Sequence, residues 1–84
     1  MRISVTQNDI DRGVRLNAQL CPIALAAKRK ARCRVRVKAS GVIIFMRLDG
    51  PKAYKMPGEA TIFANEFDSG GKVEPFAFLI QEEP

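Results

Sequence analysis

The fold is decided by residues 33–48, which read CRVRVKASGVIIFMRL. In the first part, basic residues alternate with valine, which is the period-2 pattern of a strand with one buried and one solvated face. Residues 42–48 are apolar on both faces except for Arg47, as is typical of a central or covered strand. Residues 39–41 end in glycine, which suits the positive φ of a three-residue hairpin connection. The stretch therefore predicts a β-hairpin.

A helix is predicted on each side of the hairpin. The first begins at Pro22, because proline suits an initial helical position where its missing N–H would have no partner anyway. It closes with residues 28–32, whose basic side chains lie near the negative end of the helix dipole. The second helix begins at Pro57, and its apolar residues recur at the i, i+3, i+4, i+7 spacing of one helix face. These apolar residues are Ala60, Phe63, Ala64 and Phe67.

The remaining segments complete a single α+β domain over residues 1–84. The element order predicts a mostly antiparallel sheet of four to five strands with two helices on one face. The split βαβ, ferredoxin-like order is the nearest topology, although a short edge strand at residues 52–56 does not belong to it. The other predicted segments are strands at residues 2–6 and 76–80, a short helical turn at residues 8–12 and a frayed tail at residues 81–84.

Composition excludes several classes of function. The 84 residues, of which 46% are hydrophobic and 27% charged, suit one small globular core. The chain has no histidine, which removes the Ser-His-Asp triad and every His-ligated metal site. Cys21 and Cys33 alone provide too few ligands for structural zinc. We therefore expect a non-enzymatic protein with no catalytic residue, metal or cofactor, and Cys21 as the one enzymatic route left open.

The cysteines also bear on location. They flank the first predicted helix, so their Cα atoms should lie well beyond the roughly 7 Å that a disulfide can span. The N-terminus lacks the continuous apolar stretch of a signal peptide, and the longest apolar run, residues 22–27, is too short to cross a bilayer. Two free thiols suit a reducing compartment, so we expect the cytoplasm.

Charge is divided unevenly along the chain. Residues 1–48 hold eleven Lys/Arg and two Asp/Glu, a net charge of +9, whereas residues 49–84 hold three and seven, a net charge of −4. The strongest concentration is residues 28–38, where seven of the eleven positions are basic. Like charges this close repel one another, and a marginally stable fold seldom keeps them without a use. The pattern therefore favours an acidic partner.

The predicted sheet gathers these cations on one surface. If both helices cover one sheet face, the opposite face displays Arg34, Arg36 and Lys38, and the expected hairpin parity adds Phe45 and Arg47. A flat basic surface with an aromatic is similar in outline to the sheets that bind single-stranded nucleic acid. The plainer alternative is a solvated strand face beside a capped helix. The candidate binding residues are Lys28, Arg29, Lys30, Arg32, Arg34, Arg36, Lys38, Phe45 and Arg47.

Two further features have alternative interpretations. Ile43 and Phe45 share a face of their strand, where they either contact a second copy of the chain as a homodimer or are buried in the core. Cys21 lies at a predicted helix N-terminus, where a thiol can become a reactive thiolate. Its alternative role is that of a small buried apolar side chain.

Several motifs resemble a family of small phage and prophage proteins. Residues 5–13 carry a V-T-x-x-D-I-x-x-G run, residues 21–26 read CPIALA, and residues 75–78 form a P-F-x-F strand. The segment from Met56 to Gly70 is also similar. The resemblance covers most of the chain, and its motifs are structural rather than catalytic, so no active site comes with it. Residues 28–38 are not part of the shared pattern.

The resemblance implies an accessory protein of a mobile element, and small proteins of that kind include inhibitors of bacterial defence such as anti-CRISPR proteins. Combined with the basic face, it predicts a protein that docks on a defence nucleoprotein complex and inhibits it by occlusion. It would act in the cytoplasm of an infected or lysogenic bacterial host. The alternatives are a general nucleic-acid-binding phage protein and a homo-oligomeric structural or assembly protein.

Overall fold

A computed structural model describes residues 1–83 of the chain. Within these residues the fold is α+β, with three helices and six strands, and every strand pair is antiparallel. The helices are α1 (Gln7–Arg12), α2 (Pro22–Ala31) and α3 (Gly58–Asp68). The strands are β1 (Arg2–Val5), β2 (Arg34–Lys38), β3 (Val42–Arg47), β4 (Gly50–Lys55), β5 (Phe76–Leu79) and β6 (Gln81–Glu82).

The strands form two sheets that share the last segment of the described chain. β1 pairs with β5, and the second sheet has the order β2-β3-β4-β6. Ile80 alone separates β5 from β6, so the chain passes directly from one sheet into the other. The buried Ile80 donates its N–H to the Met1 carbonyl over 2.8 Å, and its carbonyl accepts from the Met1 ammonium over 3.1 Å. These two bonds hold Met1 at the junction of the sheets.

One cluster of buried side chains lies between the helices and the inner sides of the sheets. Ala24 and Ala27 of α2 are fully buried, and their small side chains let this helix approach β1 and β2 closely. Under α3, Phe63 stacks on Phe76 with ring centroids 4.6 Å apart, and Phe76 stacks on Phe78 at 5.1 Å. The core therefore combines a small-residue contact under α2 with an aromatic stack under α3.

The predicted α+β class is confirmed, but the single sheet of four to five strands is wrong. Six strands form two sheets within residues 1–83, and the ferredoxin-like order is not confirmed. The reason is that the C-terminal segment pairs with two different strands. Its first half pairs with β1 and, after Ile80, its second half pairs with β4.

The helices and the hairpin strands lie within one residue of their predicted limits. The strand predicted at residues 52–56 is longer and does not form a sheet edge, because β4 has β3 on one side and β6 on the other. Gly50 adopts a φ of 115°, a conformation that glycine reaches without steric cost. The resulting tight turn returns the chain to β3 early, so β4 begins at Gly50 itself.

The tail prediction is also corrected. Residues 81–82 are not frayed, since they pair with Lys55 and Tyr54, and the Glu83 N–H donates to a β4 carbonyl over 2.9 Å. An open strand edge has backbone groups that need partners, and the buried Ile80 holds the chain beside that edge. Pro84, the last residue of the predicted tail, lies outside the described residues.

Candidate functional site

The register of the β2–β3 hairpin decides which side chains share a face of the four-stranded sheet. The connection has three residues, and Gly41 at its end adopts a φ of 91°. A three-residue connection pairs position i with position i+4, and directly opposed residues of an antiparallel pair lie on the same face. The basic residues of β2 therefore share their face with the even-numbered residues of β3. The observed pairs are Arg34 with Met46, Arg36 with Ile44 and Lys38 with Val42.

Phe45 lies on the inner side of the sheet, which corrects the prediction that it stands beside the basic residues of β2. Its side chain is fully buried, and its ring meets Tyr54 edge to face at 5.1 Å. Ile43 lies on the same side and is also fully buried. Neither residue is at the surface, so the predicted homodimer contact through Ile43 and Phe45 has no exposed side chain to form it. Ile43 and Phe45 are instead buried in the core, which was the alternative interpretation.

The opposite side of this sheet is the outer face. Arg34, Arg36 and Lys38 lie in a row along β2, and all three are exposed. Beside them runs an apolar row on β3, in which Met46 is 50% exposed. The buried residues of α2 and α3 belong to the core on the inner side, so neither helix packs on the outer face. The apolar row consists of Val42, Ile44 and Met46, and β4 adds Pro51, Ala53 and Lys55.

A small crevice at the edge of β2 adds Lys28 to this surface. The Val37 N–H donates to the Ala18 carbonyl over 2.8 Å, which holds the loop before α2 against the strand. Lys28 and Gln19 line the crevice with Arg34, Arg36 and Met46, around a volume of about 90 Å³. The helix and the strand therefore bring three cations together, although Lys28 and Arg34 are six positions apart in the sequence.

Arg29 forms its hydrogen bonds within the chain. Its guanidinium donates to both carboxylate oxygens of Asp9, over 2.7 and 2.9 Å, and to the Ser4 carbonyl over 3.0 Å. Asp9 is buried and also forms the capping box of α1 with Thr6. Burial raises the pKa of Asp9, but the hydrogen bonds from Arg29 and Thr6 outweigh it and lower that pKa below its usual value. Arg29 thus joins α2 to α1 and β1.

Arg32 and Arg47 lie apart from the outer face and from Asp9, at one end of the inner side of the sheet. Arg32 caps α2 in the left-handed conformation, with a φ of 55°, and its N–H donates to the Lys28 carbonyl over 2.7 Å. The Arg47 guanidinium lies over the Phe45 ring, with Cζ 5.7 Å from the centroid. Both arginines line an open groove of about 390 Å³ together with Lys52, and we call it the Arg47 groove.

The single basic surface predicted from residues 28–38 is therefore divided. Lys28, Arg34, Arg36 and Lys38 face the outer side or its edge, whereas Arg29 is bound to Asp9. The reason is helical geometry, since successive residues near the end of α2 point in directions about 100° apart. Lys30 is exposed on α2 and lines neither the crevice nor the groove, while Arg32 and Arg47 belong to the Arg47 groove.

Three features of these surfaces were not predicted from the sequence: the apolar row, Lys52 and Lys55. The sequence shows that β3 is apolar on both faces. The prediction, however, placed Phe45 on the outer face instead of Val42, Ile44 and Met46. Lys52 and Lys55 carry no local signal of their own, since their positions depend on how β4 pairs with β3. Correct counting across the three-residue connection would have placed Met46 beside Arg34 from the sequence alone.

Cys21 has a structural role in this fold. It is the N-cap of α2, and its Sγ accepts from the Ala24 N–H over 3.4 Å. Burial raises the pKa of the Cys21 thiol, which opposes the reactive thiolate considered above. Cys33 is half-buried, and both cysteines are free, as expected. Cys21 therefore fits the alternative role of a small buried side chain.

The comparisons give no relative from which to transfer a function. A scan of protein-family models, curated proteins and solved structures finds no match for this chain. Across residues 1–83, no cluster of three metal-ligating side chains is present. No helix in the described range is long and apolar enough to cross a membrane. The candidate site is therefore argued from its own geometry.

Proposed function

We propose that the protein binds an acidic macromolecular surface through its outer face and acts by occupying that surface, without catalysis. The observation that supports this proposal most strongly is the pairing of two rows on one open sheet face. The cations Arg34, Arg36 and Lys38 lie beside the apolar residues Val42, Ile44 and Met46. Charged groups steer a partner and set its orientation, while apolar contacts provide most of the affinity.

The composition of the outer face favours a protein partner over bases. Phe45 and Tyr54, the aromatic residues of this sheet, belong to the core side. Base stacking on aromatic rings is a main source of affinity in single-strand binding proteins. Met46 and Ile44 offer an apolar contact that suits a protein surface, and the flanking arginines suit its carboxylates.

In its concrete form, the proposal is an inhibitor of a bacterial defence nucleoprotein complex of the anti-CRISPR type. The motifs that resemble small phage and prophage proteins support this form, together with a basic surface that could compete with nucleic acid. Cytoplasmic action in a bacterial host follows from that proposal. The second candidate is a general nucleic-acid-binding phage protein, which would contact backbone phosphates through the same cations.

The functional test is relief of defence. Strains that each carry one CRISPR system are challenged with a phage targeted by that system, with and without expression of the chain. We expect restored plaque formation in at least one strain, because the outer face blocks the effector. Replacement of both Arg34→Glu and Arg36→Glu should abolish that relief while the melting temperature stays unchanged, since both side chains are exposed.

A matched control reverses two charges elsewhere. Lys30→Glu with Lys72→Glu changes the net charge equally, and both lysines are exposed and lie off the outer face. This control should retain relief of defence. Equal loss in the two double variants, or no relief in any strain, would contradict the proposal.

Binding to free nucleic acid separates the two candidates. Purified protein is titrated against single- and double-stranded DNA and RNA at low and near-physiological salt. An inhibitor of a protein complex should bind these weakly. A nucleic-acid-binding protein should show an affinity that falls with salt, by a logarithmic slope of about 0.9 per phosphate contact on duplex DNA and about 0.7 on single strands. A steep slope with tight binding would favour the second candidate.

A further inference from the structure

The Arg47 groove collects cations from three different elements. Arg32 comes from the C-cap of α2, Arg47 from the end of β3 and Lys52 from β4. Tyr54 and Cys33 also line the groove. The groove is open to solvent, with a volume of about 390 Å³. Three positive charges are therefore positioned around one open concavity.

These cations are not neutralised within the described chain. Asp49 lines the same groove, but the only ion pair within 4.0 Å in residues 1–83 joins Arg29 to Asp9. Glu82 opposes Tyr54 across the β4–β6 pair and is exposed. The groove thus retains an excess of positive charge, with one carboxylate at its lining.

Arg47 contains an unsatisfied donor. Its Nε is buried and has no hydrogen-bond partner among the described residues. Buried donors in native proteins are nearly always satisfied by protein, water or a bound ion, so an orphan donor calls for a partner. A guanidinium binds an oxyanion through two of its N–H groups at once. The Nε of Arg47 is closed to solvent, so an anion in the groove contacts this donor only if the side chain turns towards the groove.

Arg32 has a left-handed backbone conformation, which glycine adopts more readily than arginine. At the end of a helix, the left-handed conformation is usually taken by glycine, because a Cβ is strained there. Arg32 holds this conformation at a φ of 55° and is one of the residues that line the groove. Backbone strain of this kind concentrates at functional sites, where the side chain is needed in spite of its conformational cost.

We propose that the Arg47 groove is a binding site for a phosphate group, held by Arg32, Arg47 and Lys52. The site is separate from the outer face and does not depend on the function proposed for that face. The phosphate belongs either to a free phosphate or phosphomonoester or to a phosphodiester of nucleic acid. Both present oxyanions that match a guanidinium fork and a lysine ammonium.

The test is a titration followed by amide resonances in NMR spectra. Inorganic phosphate and a hexathymidylate oligonucleotide are added separately, against sodium chloride at matched ionic strength. We expect phosphate to shift the amides of Arg32, Arg47 and Lys52, whereas chloride should not. Shifts with inorganic phosphate alone assign a free phosphate or monoester, and tighter binding of the oligonucleotide at the same amides assigns a phosphodiester. No shift at these amides with either probe would overturn the proposal.

Variants separate a specific site from general charge. Arg47→Met and Lys52→Gln should each weaken the binding at least about tenfold, which is the loss of one charge-assisted contact. Arg36→Gln on the outer face removes the same charge and should leave the affinity within about twofold. Equal weakening by Arg36→Gln would overturn the proposal. If Arg47→Met fails to fold because it uncovers Phe45, Lys52→Gln decides the result.

The outer face and the groove can fail independently. The double variant Arg34→Glu with Arg36→Glu should lose relief of defence and keep the phosphate-induced shifts at Lys52. Lys52→Gln should do the reverse, which distinguishes the two proposals in the same pair of proteins.

Discussion

The guanidinium of Arg29 donates hydrogen bonds to both carboxylate oxygens of Asp9. A residue from the most basic segment of the chain thus pairs with a buried carboxylate. Asp9 is only 2% exposed, whereas Arg29 is about half exposed at its side chain. The same carboxylate caps α1 through the Thr6 N–H at 2.9 Å. One contact therefore fixes α1, β1 and α2 relative to one another.

Loss of this contact should destabilise the fold. Arg29→Met leaves the buried Asp9 carboxylate without its cation, and we expect a loss of about 2 kcal/mol in the free energy of unfolding. The neighbouring substitution Lys30→Met removes the same charge from an exposed position and should change stability by less than about 0.5 kcal/mol. Urea unfolding of both variants measures the difference, and equal stabilities would show that the Arg29–Asp9 pair contributes nothing.

The lowered pKa of Asp9 predicts an acid-dependent loss of stability. The unfolded chain takes up the proton more readily than the folded chain, because the hydrogen bonds from Arg29 and Thr6 favour the carboxylate. The contribution of Asp9 is therefore complete above its unfolded pKa of 3.8 and is lost as the pH falls through the lower folded value. Urea unfolding between neutral pH and pH 3 should show the gap between the natural chain and Asp9→Asn closing as acidity increases. Parallel curves would contradict the assignment.

The hairpin register can be tested by two adjacent residues of β3. Phe45→Ala should cost about 3–5 kcal/mol, because it opens a cavity in the core. Met46→Ala should cost less than about 0.5 kcal/mol, since Met46 lies on the outer face and is half exposed. If Phe45→Ala does not fold, Phe45→Leu provides the ranking against Met46→Ala. Comparable losses would mean that the register of the hairpin differs.

Arg32 offers a substitution that should stabilise the fold. Glycine adopts the left-handed conformation of this helix cap without strain, so Arg32→Gly should raise the free energy of unfolding by about 1 kcal/mol. Lys30→Gly, placed inside α2, should lower it by about the same amount. Thermal and urea unfolding of the two glycine variants measure both effects. A destabilised Arg32→Gly would show that the arginine side chain itself supports the fold.

The positions of the helices could be predicted from the sequence because their signals are local. Pro22 marks the start of α2, and the spacing of Ala60, Phe63, Ala64 and Phe67 marks one face of α3. The division into two sheets could not be predicted in this way. It depends on which strand pairs with residues 76–82, and Ile80 resembles any other apolar strand residue in the sequence.

The candidate site was predictable in part. The alternation in β2 placed Arg34, Arg36 and Lys38 on one face correctly, since period 2 is a property of the strand itself. Arg29 and Lys28 could not be separated by composition, because their difference depends on the position of Asp9 and of the loop at Ala18. The Arg47 groove is formed by residues of three elements that the fold brings together, so no short sequence motif indicates it.

The bonds between Met1 and Ile80 have a consequence for the order of folding. They join positions 79 apart in the sequence, whereas the β2–β3 and β3–β4 turns close only a few residues. The entropy lost on closing a loop grows with its length, so we expect the short hairpins to form early and β1 to be added late. On this order of folding, the edge that β5 presents to β1 stays open to solvent for longer than any hairpin edge, and we expect misassociation with another copy of the chain to occur in that interval.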